Sequence, residues 1–368
     1  MQRISIDVAI VNFRDVADTL QTLRHLGNWP HGTVWVVDNS AHEVDIADST
    51  ADLQKACDIS PWVQRLTPDI NLGFGRACNL AFSKSSATFF LLLNPDARIS
   101  TDDVVLLAHT LAEQPRLGAV SPKIFWNDQH SFVLPVAFPQ TPCYSMAMAL
   151  ATYSRDATRW TASFYLKRAV RQMASGHRFS TGFLAGAVMM LRRTAVLSAG
   201  GLFDPDYFMF FEDSDLCQRL RRAGYALAIV PAACAVHEYR HKAYKAGLMS
   251  QSQRKYFRKQ YPVFYRLSNQ LAGLATLTRP VDPAKWFRVL PRPVTSAAEF
   301  AEYTGGASVM AFSPSWLMMP AIFRPSFAEA RCFDEPEWAL LEPATYVALV
   351  DSDNSTLSPN WVYFERAA

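Results

Sequence analysis

The stretch from Ile6 to Ser40 constrains the fold more than any other. Ile6 to Phe13 is an apolar run, interrupted once by Asp7, that reads as a buried strand. Asp15 to Leu26 follows with apolar residues at helical spacing (Val16, Leu20, Leu23) and stops before Gly27. Thr33 to Val37 is a second buried strand, ending in Asp38-Asn39-Ser40. A strand, a helix and a second strand call for a parallel sheet with helices on its faces. In such open sheets ligands bind beyond the carboxyl ends of the strands, where Asn12 and Asp38 stand. Asp38 has two readings, a contact to a ribose or base edge and a turn-forming residue.

The same device returns at Phe89-Phe90-Leu91-Leu92-Leu93-Asn94-Pro95-Asp96, a short apolar run that delivers polar groups at its end. Trp62 to Leu66 is a weaker strand. Asn71-Leu72-Gly73-Phe74-Gly75-Arg76-Ala77-Cys78-Asn79 leads into a helix, and its two glycines let backbone approach a phosphate or nucleotide. Without a third glycine or a strong preceding strand, it does not make a dinucleotide fingerprint. A helix is expected over Thr101 to Glu113 and a strand over Gly118 to Phe125.

Trp126 to His177 reads as a loop-rich interruption of the sheet. His130 to Arg155 encloses a long uncharged stretch, but Pro135, Pro139 and Pro142 argue against a spanning helix and for an active-site or membrane-facing loop. Arg155 to Arg178 interleaves Arg155, Arg159, Lys167, Arg168, Arg171 and Arg178 with Trp160, Phe164 and Tyr165. Such a basic helix can rest on anionic lipid, clasp a pyrophosphate or face solvent. Phe179 to Leu191 is expected as one apolar strand, and Ala226 to Pro231 as another. His237 follows, then a basic run (Arg240, His241, Lys242, Lys245, Arg254, Lys255, Arg258, Lys259).

Phe203-Asp204-Pro205-Asp206-Tyr207-Phe208-Met209-Phe210-Phe211-Glu212-Asp213-Ser214-Asp215-Leu216 brings a greasy wall up to an acidic cluster, and a helix then runs to Gly224. The carboxylates are either a solvated N-terminal turn favoured by the helix dipole or a base in a restricted pocket. From about Ser268, Pro280, Pro283, Pro291 and Pro293 mark a linker. Ser308 to Phe312, Tyr346 to Val350 and Trp361 to Phe364 then read as strands of a small β-rich appendage that binds or braces. Domains are therefore expected at 1–267 and 268–368.

The six scattered cysteines contain no CxxC pair, which argues against a zinc module or disulfide framework and for a reducing compartment. A net charge of +3 gives no ground for nucleic-acid binding. The segment from Met1 to Val11 does not read as a secretory signal. A cytoplasmic protein is expected, with peripheral contact at the inner face of the membrane left open.

Taken in order, several motifs resemble inverting glycosyltransferase family 2 and its bacterial rhamnosyltransferase-like branch. They are Val11-Asn12, Val37-Asp38-Asn39-Ser40, Asn71-Leu72-Gly73-Phe74-Gly75 with Asn79, Leu93-Asn94-Pro95-Asp96, Gly186-Ala187 with Arg192-Arg193, Gly201-Leu202-Phe203-Asp204, Phe211-Glu212-Asp213-Ser214-Asp215-Leu216 with Arg219, and His237. The resemblance covers roughly residues 5 to 260. It implies an α/β GT-A fold, a Rossmann-like mixed sheet flanked by helices, and a nucleotide-sugar donor. It assigns Asp213 as catalytic base with Glu212 orienting the acceptor or sharing its proton. Asp38 would contact the nucleoside, with Asn12, Asn71, Arg76 and Asn79 around it. Asn94-Pro95-Asp96 stands where the family has Asp-x-Asp, so Asp96, with His237, would hold Mg2+ or Mn2+ on the diphosphate. The expected donor is dTDP-L-rhamnose and the acceptor a glycan or lipid-linked saccharide of bacterial surface polysaccharide synthesis. UDP-galactofuranose, UDP-glucose or UDP-N-acetylhexosamine as donor, and a non-catalytic nucleotide-sugar-binding protein, are the alternatives.

Overall fold

The computed structural model describes residues 4–40, 47–237, 245–275, 288–290, 292–304, 309–315, 321–325, 337–338, 341, 344–350 and 360–365. Arg240, His241 and Lys242 of the basic run, Pro280, Pro283 and Pro291 of the expected linker, and Cys332 lie outside the described residues.

In chain order the first elements are β1 (Ile6–Asn12), α1 (Val16–Leu26), β2 (Val34–Asp38), α2 (Ala47–Asp58), β3 (Val63–Leu66), α3 (Gly73–Lys84), β4 (Phe89–Leu93), β5 (Ala97–Ile99), α4 (Thr101–Glu113) and β6 (Leu117–Phe125). Then come β7 (Val133–Leu134), α5 (Pro142–Tyr153), α6 (Arg155–Ala174), β8 (Phe179–Thr181), β9 (Val188–Arg192), α7 (Arg193–Ser198), α8 (Glu212–Arg222), β10 (Ala226–His237), α9 (Lys245–Gln260) and α10 (Pro262–Ala275). The last are β11 (Arg288–Val289), α11 (Ala297–Thr304), β12 (Val309–Ser313), β13 (Ile322–Pro325), β14 (Ala344–Val350) and β15 (Asn360–Glu365). Two compact units divide the chain. The first comprises residues 1–125, 136–139 and 175–270, the second 126–135, 140–174 and 271–368.

The first unit is built on a mixed sheet ordered β10-β6-β9-β4-β1-β2-β3. Strands β4, β1, β2 and β3 are mutually parallel, so the ends of β1, β2 and β4 share one edge. Strand β9 runs antiparallel between β4 and β6. Helices cover both faces, which is why every residue of β1 and β4 is buried. Side-chain alternation sorts them: Ile6, Val8, Ile10, Phe89, Leu91 and Leu93 join one core, and Ala9, Val11, Phe90 and Leu92 the other. Each fully buried side chain of β4 contributes roughly 1.5–3 kcal/mol. Asp7, the interruption in β1, is satisfied by the Thr33 N–H at 2.8 Å and the Trp35 Nε1–H at 3.1 Å.

The second unit carries antiparallel strands ordered β15-β14-β12-β13-β7, with β11 added in parallel to β15. Its core gathers Phe132, Phe300, Phe312, Trp338, Val347 and Phe364. Helices α5 and α6 pack on one another in the same unit.

Three expectations need correction. The interval 126–177 is not loop-rich: it holds α5 and α6, and α5 is announced by Thr141 as N-cap, accepting from the Tyr144 N–H, and by Pro142 in its first turn. Phe179 to Leu191 is two strands, because β8 pairs with β10 whereas β9 pairs with β4 and β6. The strand from Ala226 does not stop at Pro231. A register shift between Val230 and Cys234 absorbs the proline, and β10 continues to His237.

Candidate active site

The carboxyl ends of β1 and β2 meet in a closed polar cluster. Asn12 stands opposite Asp38 in the sheet register. Its Nδ2 donates to Asp38 Oδ1 at 2.9 Å and to Ser40 Oγ at 3.3 Å, while Thr19 Oγ1 donates to Asn12 Oδ1. Arg65, from β3, donates to Asp38 Oδ2 at 2.7 Å. Burial alone would raise the Asp38 pKa, but the hydrogen bonds from Arg65, Asn12 and Ser40 outweigh it and hold the carboxyl below its ordinary range. Asp38 is fully buried, and the cluster lies beneath the strand ends.

Asn39, also buried, connects this cluster to the glycine turn. Its Nδ2 donates to Gly73 O at 3.0 Å and its Oδ1 accepts from the Leu72 N–H at 3.3 Å. Asn71 Oδ1 accepts from the Gly73 N–H and shapes the same turn. Gly73 has φ +75°, and a Cβ there would lie 2.2 Å from Phe208 O. Glycine is required because the aromatic loop 203–211 packs directly on the turn; Phe208 O also accepts the Phe74 N–H at 2.9 Å. Arg76 and Asn79, expected around a nucleoside, hold this loop as well. Arg76 Nε donates to Pro205 O, and Asn79 bonds both the N–H and the carbonyl of Phe203.

The loop ends in Phe210 and Phe211, both left-handed at φ 69° and 67°. Two consecutive bulky residues in that region are strained by about 1–3 kcal/mol each. Packing from α9 maintains them: Tyr256 lies against Phe211 with ring centroids 5.5 Å apart, Ser252 Oγ donates to Met209 O, and Lys255 Nζ to Asp206 O. Part of the basic run is thereby a brace. Lys259 likewise bonds Asp204 and the fully buried Asp215, which also accepts from Arg219 and Gln260. Asp215 is a structural anchor of α8.

Glu212 and Asp213 open α8 directly after the strained pair. Glu212 is buried, and its Oε2 has no hydrogen-bond partner among the described residues. Burial, and then the charge of Asp213, push its carboxyl up to about 8. Burial raises Asp213 too, against the pull of its hydrogen bonds from the N–H groups of Gly186 at 3.2 Å and Ser214 at 2.6 Å. Those two donors stabilise an anion on Asp213, and nothing comparable serves Glu212 Oε2. The pair therefore carries one charge near neutrality, on Asp213, with Glu212 holding its proton.

Asn94-Pro95-Asp96 lies at the end of β4, where Thr22 Oγ1 donates to Pro95 O at 2.7 Å and to Ala97 O at 2.9 Å. Asp96 Oδ1 is 3.2 Å from His237 Nε2, and both side chains are partly exposed. The contact follows from topology: β10 ends alongside β5, with His237 opposite Ala97. The Asn94 N–H donates to Ala187 O at 2.8 Å, and the N–H of the preceding Gly186 holds Asp213. One dipeptide thus ties the Asp96–His237 pair to the acidic helix start. No group of three or more His, Cys, Asp or Glu suited to a metal occurs among the described residues. The carboxylate and imidazole of this pair are a donor set that would suit a divalent ion such as Mn2+ or Mg2+.

Sequence reasoning missed Arg65, the ionic partner of Asp38, and the brace formed by Lys255, Lys259 and Gln260. A charged residue in a short strand parallel to β2 was the available signal for Arg65.

A mixed sheet with its polar clusters at the parallel strand ends, flanked by helices on both faces, is the GT-A architecture. Residues 5–261 match the model described as Glycosyltransferase like family 2, and the chain belongs to that family. It is similar to N-acetylglucosaminyl-diphospho-decaprenol L-rhamnosyltransferase of Mycobacterium tuberculosis (strain ATCC 25618 / H37Rv), 30% identical over 207 residues covering 53% of this chain and 64% of the relative. It is also similar to Rhamnosyltransferase WbbL of Escherichia coli (strain K12), 28% identical over 177 residues covering 46% of this chain and 62% of the relative. The chain thus spans less than two thirds of the length of these relatives. The crystal structure of GalNAc-T7 with UDP, GalNAc and Mn2+ shares the fold at TM-score 0.50 and 11% identity, covering 77% of this chain and 53% of that one.

Proposed function

We propose that this chain is an inverting glycosyltransferase that moves a sugar from a nucleotide-sugar donor, dTDP-L-rhamnose, to a lipid-linked saccharide in bacterial surface polysaccharide synthesis. The observation that carries the reading is the Glu212–Asp213 pair, two carboxyls of raised proton affinity held at a helix start by a strained turn. The names of both relatives support rhamnose as the sugar, and the mycobacterial name supports a diphospho-polyprenol acceptor.

In this reading the acceptor hydroxyl attacks the anomeric carbon as the bond to the diphosphate breaks, and Asp213 takes the hydroxyl proton. A single displacement inverts the anomeric centre and releases the nucleoside diphosphate. Burial raises the proton affinity of Asp213 above that of an ordinary aspartate, which makes it a better proton acceptor. Protonated Glu212 offers a hydrogen-bond donor to the acceptor side. Asn12, Asp38 and Arg65 form the floor of the nucleotide half, and the Asn71 turn, together with Arg76 and Asn79, keeps the 203–211 loop against it. Asp96 and His237, with Asn94 beside them, would hold a divalent ion, which supplies positive charge to the departing diphosphate.

The test is a binding and hydrolysis screen of the purified protein against dTDP-L-rhamnose, UDP-galactofuranose, UDP-glucose and UDP-N-acetylglucosamine, each with and without Mn2+ or Mg2+. Metal-dependent binding of dTDP-L-rhamnose with slow release of dTDP is expected. Turnover of a UDP-sugar alone would replace the donor, and silence with every donor would remove the transferase reading.

A further inference from the structure

Helices α5 and α6 each have an exposed apolar side that no core explains. On α5 the exposed positions are Cys143, Met146, Ala149, Leu150 and Tyr153, spaced three, four and seven apart so that they lie along one side. Met146 is 55% and Leu150 60% exposed, and the helix contains no charged residue. On α6, Trp160 is 66% and Phe164 53% exposed, with their rings stacked at 5.8 Å and 10° between planes. The opposite side of α6 is already engaged, since Thr158, Ala162, Tyr165, Leu166 and Ala169 are buried. The exposed apolar residues are thus additional to those that hold the hairpin in its unit.

Charge identifies the occupant. Lys167 and Arg171 follow Phe164 by three and seven positions, along the aromatic side, and Arg159 borders it, whereas Asp156 is the one acidic residue of α6. Apolar side chains rimmed by cations suit a bilayer interface with anionic headgroups: aromatic rings settle at headgroup depth and each basic side chain adds electrostatic attraction. A second copy of the chain docking by the same face would bring like charges together. Among the described residues no helix is long and apolar enough to cross a membrane.

We propose that the α5–α6 hairpin is a docking surface for an anionic lipid bilayer, with Met146, Leu150, Tyr153, Trp160 and Phe164 inserted and Arg159, Lys167 and Arg171 at the headgroups. The inference stands on this face and not on the transferase reading, and its test does not use activity.

Full-length protein is sedimented with vesicles of phosphatidylcholine alone and of phosphatidylcholine with phosphatidylglycerol. Binding to the anionic vesicles that weakens with salt is expected. Trp160→Ser with Phe164→Ser should abolish it, and Arg159→Gln with Arg171→Gln should lower the partition coefficient by about fivefold for each charge removed. All four positions are exposed, and unchanged circular dichroism and melting temperature show that the variants remain folded. Absence of sedimentation, or undiminished binding by the aromatic variant, overturns the proposal. Concentration-dependent dimerisation lost in that variant, without vesicle binding, overturns it in favour of self-association.

Discussion

Asp213 and Glu212 differ by one position, and their surroundings assign them different tasks. Asp213→Asn keeps the size of the side chain but removes the proposed proton acceptor. Turnover should fall by about 10²–10⁴, with donor affinity by calorimetry nearly unchanged; a loss of affinity at normal turnover would take Asp213 out of the role. Glu212 has a consequence for stability. Its carboxyl, ordinarily near 4.5, sits at about 8 in the folded chain, so folding takes up a proton between those values. What Glu212 contributes as a neutral acid is complete below about 4.5 and disappears as pH rises through 8. Glu212→Gln cannot ionise, so its melting temperature should decline less than that of the native protein between roughly pH 6 and 9. Parallel melting curves would show that Glu212 does not titrate there. The acidic pair was legible in the sequence as a cluster after an aromatic run. The resemblance assigned the two residues different roles, but the hydrogen bond that holds Asp213 was not legible, because it comes from Gly186, 27 positions away in the chain.

Elements set by local chemistry were the easiest to read. Helix α4 has the limits that its cap and periodicity foretell, with Ser100 Oγ accepting from the Asp103 N–H. Strands β1, β2 and β4 announce themselves as short apolar runs, and β1 and β4 are buried at every position. The glycine turn shows where such reading stops: Gly73 and Gly75 suggest space for a phosphate, yet Gly73 is filled by Phe208 from a distant loop. Gly73→Ala should therefore act on the acidic turn. The left-handed backbone alone should cost about 1–3 kcal/mol, and the 2.2 Å clash with Phe208 O must displace the loop as well. A lower denaturation midpoint together with an altered pH profile of turnover is expected. An effect confined to donor affinity would favour the phosphate role.

At the scale of the molecule, the parallel sheet followed from the first two strands, and the antiparallel insertion of β9 did not. Two apolar strands look alike in sequence whichever way they run, and only pairing with β4 and β6 sets the direction. The grouping of 126–135 and 140–174 with the second unit is similarly non-local, since it rests on contacts made by residues beyond 270. The burial pattern predicts a hierarchy of opening. Amides of β1 and β4, enclosed on both faces, should exchange hydrogen only by global unfolding, whereas those of α5, with its exposed outer side, should exchange through smaller openings. Equal protection in both would mean that the chain opens as one block.

The Gly186-Ala187 dipeptide gives the site a single alignment reference. Its Ala187 carbonyl accepts from Asn94 at the end of β4, and its Gly186 N–H holds Asp213. A builder who fixes two tools to one short rail need not survey the distance between them, because a shift of the rail moves both. In the same way, thermal drift of the sheet edge would carry the Asp96 end and Asp213 together, and their relative tolerance is that of one dipeptide rather than of a fold assembled from segments more than a hundred residues apart.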